Sequence, residues 1–156
     1  MKLKFVAMNS DRCEQLRTGG LDDNRQHAEQ AVSDGNGNPC RHCLKEIPEN
    51  SSMLILGYRP FESLQPYAET GPVFICGGYC QRYDQDDQLP GLYQSRTMLV
   101  RGYDQNERII YGTGKMVFGA EIADYAEQLL VREELAFVHV RSSSDNCFHF
   151  RIERSS

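Results

Sequence analysis

Four of the six cysteines fall in two short pairs, Cys40-Arg41-His42-Cys43 and Cys76 with Cys80, separated by residues 44–75. Two thiolates at such spacing chelate a soft cation from one turn, and a second pair closes a tetrahedral shell. The set is therefore compatible with a structural zinc site ligated by Cys40, Cys43, Cys76 and Cys80, with His42 and Cys147 as spare donors. A C-x3-C placed this far from a C-x2-C is a weaker zinc signature than two C-x2-C motifs in a short ribbon. Two other readings use the same residues. Cysteine packs well as a small apolar residue that ligates nothing, and Cys13 is read that way. Arg41 and His42 beside Cys40 favour a thiolate and so a redox pair, but no strand–helix context of the thioredoxin-like kind surrounds the motif.

A second constellation comes from alternation along strands, where residues two apart share a face. On 97–103, Thr97, Leu99, Arg101 and Tyr103 oppose Met98, Val100 and Gly102. On 135–141, Phe137, His139 and Arg141 oppose Ala136, Val138 and Val140. On 147–152, Cys147, His149 and Arg151 oppose Phe148, Phe150 and Ile152. Each strand offers one apolar and one mixed face. If the strands are neighbours, Arg101, Tyr103, His139 and Arg151 line a polar pocket suited to the carboxylate or phosphate of a small-molecule ligand. His139 is then the candidate acid, base or ligand, with Cys40 or Cys147 as a nearby catalytic thiol. The alternative is a solvated sheet face on an interaction module with no chemistry. No Ser/His/Asp order, phosphate-binding glycine loop or H-E-x-x-H helix is present, and Gly112-Thr113-Gly114-Lys115 reads as a turn.

Those residues need a scaffold, and the pattern supplies one. Leu3–Met8 reads as a strand, followed by a short helix over 11–17 capped by Asn9 or Ser10 and stopped by Gly19-Gly20. Residues 21–38 are poorly determined: 22–32 has helical composition but little apolar spacing, and Gly35-Asn36-Gly37-Asn38 is a turn or mobile loop. Strands are expected at 44–47 and 53–58, joined by Pro48-Glu49-Asn50-Ser51, and at 73–76. Residues 97–103 and 108–111 flank Asp104-Gln105-Asn106-Glu107 in a hairpin pattern, and 115–118 adds a strand. Glu121–Val131 carries an apolar stripe of Ile122, Ala126, Leu129 and Leu130 and is the strongest helix. Residues 135–141 and 147–152 close the chain as a hairpin. Successive hairpins with one long helix predict a single α+β domain, 1–156, on a mainly antiparallel twisted sheet.

Bulk properties agree with an ordinary globular domain. The 156 residues are 40% hydrophobic and 25% charged, with a net charge of −5. That acidic balance, with no Lys/Arg run, argues against nucleic acid as a partner. No stretch reaches the ~20 apolar residues of a membrane span. The apolar run near Met1 is too short for a signal-peptide core. The expectation is a cytoplasmic protein, where thiols stay reduced and clustered cysteines ligate metal or do chemistry.

Pro39-Cys40-Arg41-His42-Cys43-Leu44, Tyr58-Arg59-Pro60-Phe61, Pro66–Phe74, Arg101-Gly102-Tyr103 and Val138-His139-Val140 with Asn146-Cys147 resemble domain-of-unknown-function family 1203. It is a bacterial family of about this length, and the likeness spans roughly Leu16 to Arg154. The family carries no established activity, substrate or cofactor. Its pattern implies a shared role for Cys40-Arg41, Tyr67 with Gly71-Pro72, Arg101 with Tyr103, and His139 with Cys147, which adds Arg41 and Tyr67 to the ligand-binding candidates. In that pattern cysteine stands at the positions of Cys43 and Cys80 in only some relatives, and Cys76 is particular to this chain. Arg141 replaces the second histidine of the family's usual His-x-His, which speaks against a two-histidine metal site.

Overall fold

A computed structural model describes residues 1–85 and 87–155. Ten elements matter here: β1 (Leu3–Val6), α1 (Ser10–Arg17), β2 (Glu29–Val32), β3 (Ser52–Tyr58), β4 (Gly71–Cys76), β5 (Thr97–Tyr103), β6 (Lys115–Phe118), α2 (Glu121–Leu130), β7 (Phe137–Ser142) and β8 (Phe148–Arg154). They form two antiparallel sheets, one of five strands in the order β1-β8-β7-β5-β6 and one of three in the order β2-β3-β4. The α+β architecture expected from the pattern is present.

Helix α2 forms because its apolar residues recur on one side. Ile122, Ala126, Leu129 and Leu130 are all buried, and they pack with Val100, Val138, Val140, Phe150 and Ile152 from the alternate positions of β5, β7 and β8. Glu121 and Asp124 in the first turn suit the positive end of the helix dipole. A separate core lies under the smaller sheet, where Leu54, Leu56, Val73 and Ile75 meet Cys13 and Leu16 of α1 and Cys40 and Cys43. The Asn9 side chain caps α1 by accepting from Arg12 N at 3.0 Å, and Gly19 at φ 97° turns the chain out of it.

One segment left open by the sequence is resolved, and two sequence expectations change. Residues 22–28 are not helical because Asp22 takes the backbone itself: its Oδ1 accepts from Asn24 N and Gln26 N, and its Oδ2 from Gly57 N. Such local bonds compete with a helix, and 29–32 then pair with β3 as an edge strand. Residues 44–47 do not pair with β3. Leu44 sits at φ 56°, so the chain doubles back on itself, with Cys40 N donating to Lys45 O and Ile47 N to Asn38 O, both at 2.9 Å. The return after Asp104–Glu107 forms no ladder with β5 but a single bridge, Tyr103–Ile109, beside which Ile110 N donates to Gly102 O at 2.9 Å, and β6 takes that edge over Thr97–Val100.

The core arrangement fixes one expected outcome. Leu130 is fully buried in the larger core, and Leu130→Ala should cost about 2–5 kcal/mol of unfolding free energy in a urea titration. A cost below about 1 kcal/mol would mean that α2 does not seal this sheet.

Candidate functional site

The loop that doubles back at Leu44 brings the first cysteine pair to the end of β4, which carries the second. Leu44 N donates to Cys40 O, and Arg41 N donates to Phe74 O, each at 2.9 Å. The result is a cluster in which the Sγ atoms of Cys40, Cys43, Cys76 and Cys80 all lie within 4.8 Å of one another. Cys40 and Cys80 are 3.9 Å apart. Zn–S bonds of ~2.3 Å in a tetrahedron require sulfurs about 3.8 Å apart, so the group needs little movement to take a metal. Cys147, a spare donor by sequence, lies outside the cluster in the β7–β8 turn, where its backbone N donates to Ser142 Oγ at 2.8 Å.

The surroundings favour negative sulfur. Cys40 Sγ accepts from the backbone N–H groups of His42 (3.4 Å) and Cys76 (3.3 Å). Arg17 of α1 reaches Cys80 Sγ at 3.3 Å with Nη2 and Cys76 O at 2.9 Å with Nε. His42 is within hydrogen-bonding distance of Cys80 Sγ through Nδ1 (3.1 Å) and of Ser10 Oγ through Nε2 (2.8 Å). Without a cation the four thiols share charge unequally. Hydrogen bonds from Cys43, then Cys76 and Cys80, hold the Cys40 thiol far below its ordinary range, and the same contacts push Cys43 and Cys76 up. Cys13, buried beside the cluster, is pushed up to about 12 by desolvation and remains a packing thiol.

The mixed face of the larger sheet is assembled in register: Arg101, His139 and Arg151 lie directly opposite one another across β5, β7 and β8. It is not open, because residues 59–70 fold over it. Phe61 rests 5.5 Å from the Tyr103 ring and 5.1 Å from the His139 ring. Glu69 pairs with Arg141 at 2.5 Å and with Arg101 at 3.7 Å. Arg101 also donates to Tyr103 Oη at 2.7 Å. Arg151 is bound to Glu153 at 2.8 Å and lies over Phe137.

A bulge between Val140 and Arg141 shifts the pairing, so that Arg141 faces Phe148. Strict alternation assigns His149 to the mixed face and Phe148 to the apolar one, and the bulge exchanges them. Phe148 stacks edge-on against His139 at 4.7 Å, while His149 meets Tyr93 Oη through Nδ1 at 2.8 Å. Arg41 is buried, with Nε donating to Phe148 O at 2.6 Å and Nη1 to Pro39 O at 2.8 Å. Tyr67 sits apart from His139, hydrogen-bonded to Tyr111 and under Arg108. The structure thus gathers His139, Tyr103, Arg101 and Arg151 on one face and puts Cys40, Cys147 and Arg41 elsewhere.

His139 is fully buried, and its pKa lies well below the ordinary value because of desolvation first and Arg141, Arg151 and Arg101 second. His149 is lowered likewise, by burial and then by Arg41, Arg96 and Arg141. Sequence reasoning gave no site role to Arg17, Phe61, Glu69 or Arg82. Phe61 and Glu69 stand in an irregular loop without periodicity, so no pattern pointed them at the sheet.

His139 and His149 are held neutral when folded, whereas an unfolded histidine titrates near 6.5. The unfolded state therefore binds more protons in acid. Stability is retained above about 6.5 and falls as pH drops below it, by up to about 1.4 kcal/mol per pH unit for each histidine. In urea unfolding across that range, His149→Gln should show a shallower decline than the parent protein. Parallel declines would mean that His149 is charged in the folded state.

The family described as Protein of unknown function (DUF1203) matches residues 37–154. No curated protein and no solved structure matches the chain.

Proposed function

We propose that this chain, which belongs to the DUF1203 family, holds one zinc ion in Cys40, Cys43, Cys76 and Cys80, and that the metal is structural. The observation carrying this reading is the convergence of four sulfurs within 4.8 Å from two loops distant in sequence. An all-sulfur tetrahedral donor set suits zinc, or iron as a competitor. With four protein ligands no position is left for water or substrate, which is the mark of a structural rather than a catalytic zinc. Arg17 supplies the positive charge that an anionic tetrathiolate needs nearby. Structural zinc contributes an apparent ~10–16 kcal/mol in small zinc-finger peptides, ample to hold loops that have little regular structure of their own.

Elemental mass spectrometry of freshly purified, untagged protein, with a thiol count on the same sample, tests the reading. The expected result is near one zinc per chain and about four of the six thiols protected until a chelator is added. Cys76→Ser should lower zinc content and thermal stability together, while Cys147→Ser keeps the metal. Absence of metal with six thiols reactive on unfolding would overturn it.

A second reading concerns the His139 face. His139 Nε2 is buried without a hydrogen-bond partner among the described residues, and arginines surround it. This supports binding of a small anionic ligand beside the larger sheet, apart from the cysteines.

A further inference from the structure

The tautomer of His139 follows from its one polar contact. Arg141 Nη2 lies 2.9 Å from His139 Nδ1, and a guanidinium can only donate. Nδ1 is therefore the acceptor, and in a neutral imidazole the proton sits on Nε2. The unpartnered atom is a donor. Arg82 Nε and Arg141 Nε are the other buried side-chain donors without a partner among the described residues. His139 and Arg82 line the same cleft, about 720 Å³, between the start of α1, the end of β3 and the face of β7 and β8, and Arg141 lies outside it. That volume is of the size that takes a small organic molecule. Two orphaned N–H groups on one cleft are costly unless an acceptor fills them.

The charges around the cleft sort in the same direction. Arg12 is committed to Asp23 at 3.2 Å, and Arg151 to Glu153. Glu107 is occupied by the backbone N–H groups of Glu62 and Ser63, and Glu62 is exposed at the rim. Arg59 and Arg82 have no carboxylate in ion-pair range among the described residues; Arg59 Nε reaches only Phe61 O (3.5 Å), and Arg82 Nη2 donates to Ala7 O (2.5 Å). The remaining wall is aromatic. Tyr58 lies 5.7 Å from Phe148, and Phe148 and Phe61 flank His139.

We infer that this cleft binds a small organic carboxylate, whose oxygens take His139 Nε2–H and the guanidinium of Arg82, and whose flat apolar body lies against Phe148, Phe61 and Tyr58. A fork of N–H donors matches a carboxylate in geometry and charge. The inference rests on the anion reading of the His139 face and narrows it to a place, a donor set and a ligand class. It differs from the pocket expected from the sequence, since Arg101 is already taken by Tyr103 and Glu69, whereas Arg82 is far in sequence from the strands that carry the histidine but shares their cleft.

The test is a titration of the full chain, labelled with 15N-histidine, with benzoate, benzyl alcohol and inorganic phosphate in turn. The His139 Nε2–H resonance should move saturably with benzoate and not with benzyl alcohol, and His27, whose side chain is exposed, should stay still. Arg82→Gln, with its zinc content and amide spectrum unchanged, should weaken benzoate by roughly tenfold or more, as loss of a charge-assisted hydrogen bond does. If that variant fails to fold, Arg59→Gln should weaken benzoate in the same direction. Saturation by phosphate alone would overturn the organic-carboxylate inference while leaving the anion reading. No saturable response to either anion would overturn both.

Discussion

A buried arginine ties the two halves of this molecule together. Arg41 stands between the cysteines of the first pair and is almost without solvent access. Its guanidinium has left water, a heavy cost for a charged group unless its donors are satisfied. They are met by carbonyls, Phe148 O in the larger sheet and Pro39 O in its own loop. Its main chain does the same, donating from N to Phe74 O in the smaller sheet and accepting at O from Met8 N, two residues past the end of β1. One residue thereby links β4, β8, the segment after β1 and the cysteine loop. This link helps to hold the loop beside β4, where the thiols at 40 and 43 face those at 76 and 80.

The second constraint is polar burial on the larger sheet. Placing Arg101, His139 and Arg151 opposite one another would set like charges side by side, which disfavours strand pairing. The structure answers in three ways. Desolvation keeps His139 neutral, Glu69 offsets Arg101 and Arg141 from the covering loop, and Arg151 turns to Glu153 and the Phe137 ring. Tyr103 stacks on Phe137 at 5.1 Å with rings nearly parallel, so the face buries aromatic area as well. What would be a solvated face in an isolated sheet becomes a second, polar interior, with His139 Nε2 and Arg141 Nε left without a partner among the described residues.

Much of this was readable from local pattern. The stripe of α2, the strands at 97–103 and 135–141, the closing hairpin and the pairing of the C-x2-C with the C-x3-C rest on periodicity or spacing, and the contacts respect them. The departures arise where local backbone geometry overrides periodicity. Asp22 captures three N–H groups and so decides a segment that the pattern left open, and the left-handed turn at Leu44 removes a strand. The bulge at Val140/Arg141 exchanges His149 and Phe148 between faces, and period-two reasoning cannot see a one-residue shift. Partners such as Phe61, Glu69 and Arg82 come from irregular segments, where three-dimensional neighbours leave no periodic trace.

The two candidate sites are separate in chemistry but joined in covalent structure. Arg82 follows Cys80 by two residues, and Tyr83 N donates to His42 O at 2.9 Å, so the segment after the second cysteine pair is laced to the first. Arg17 holds Cys80 from one end of α1 while Arg12, a turn earlier, lines the cleft. A metal that fixes Cys80 therefore also fixes where the Arg82 guanidinium can reach. On this view zinc does no chemistry on a ligand. It sets the wall that presents one donor of the pair, and the bulged hairpin of β7 and β8 sets the wall that presents the other. A rigid scaffold that positions a few polar groups from distant segments is what a preorganised site requires, and under the proposed zinc reading an irregular loop becomes such a scaffold by being clamped through sulfur.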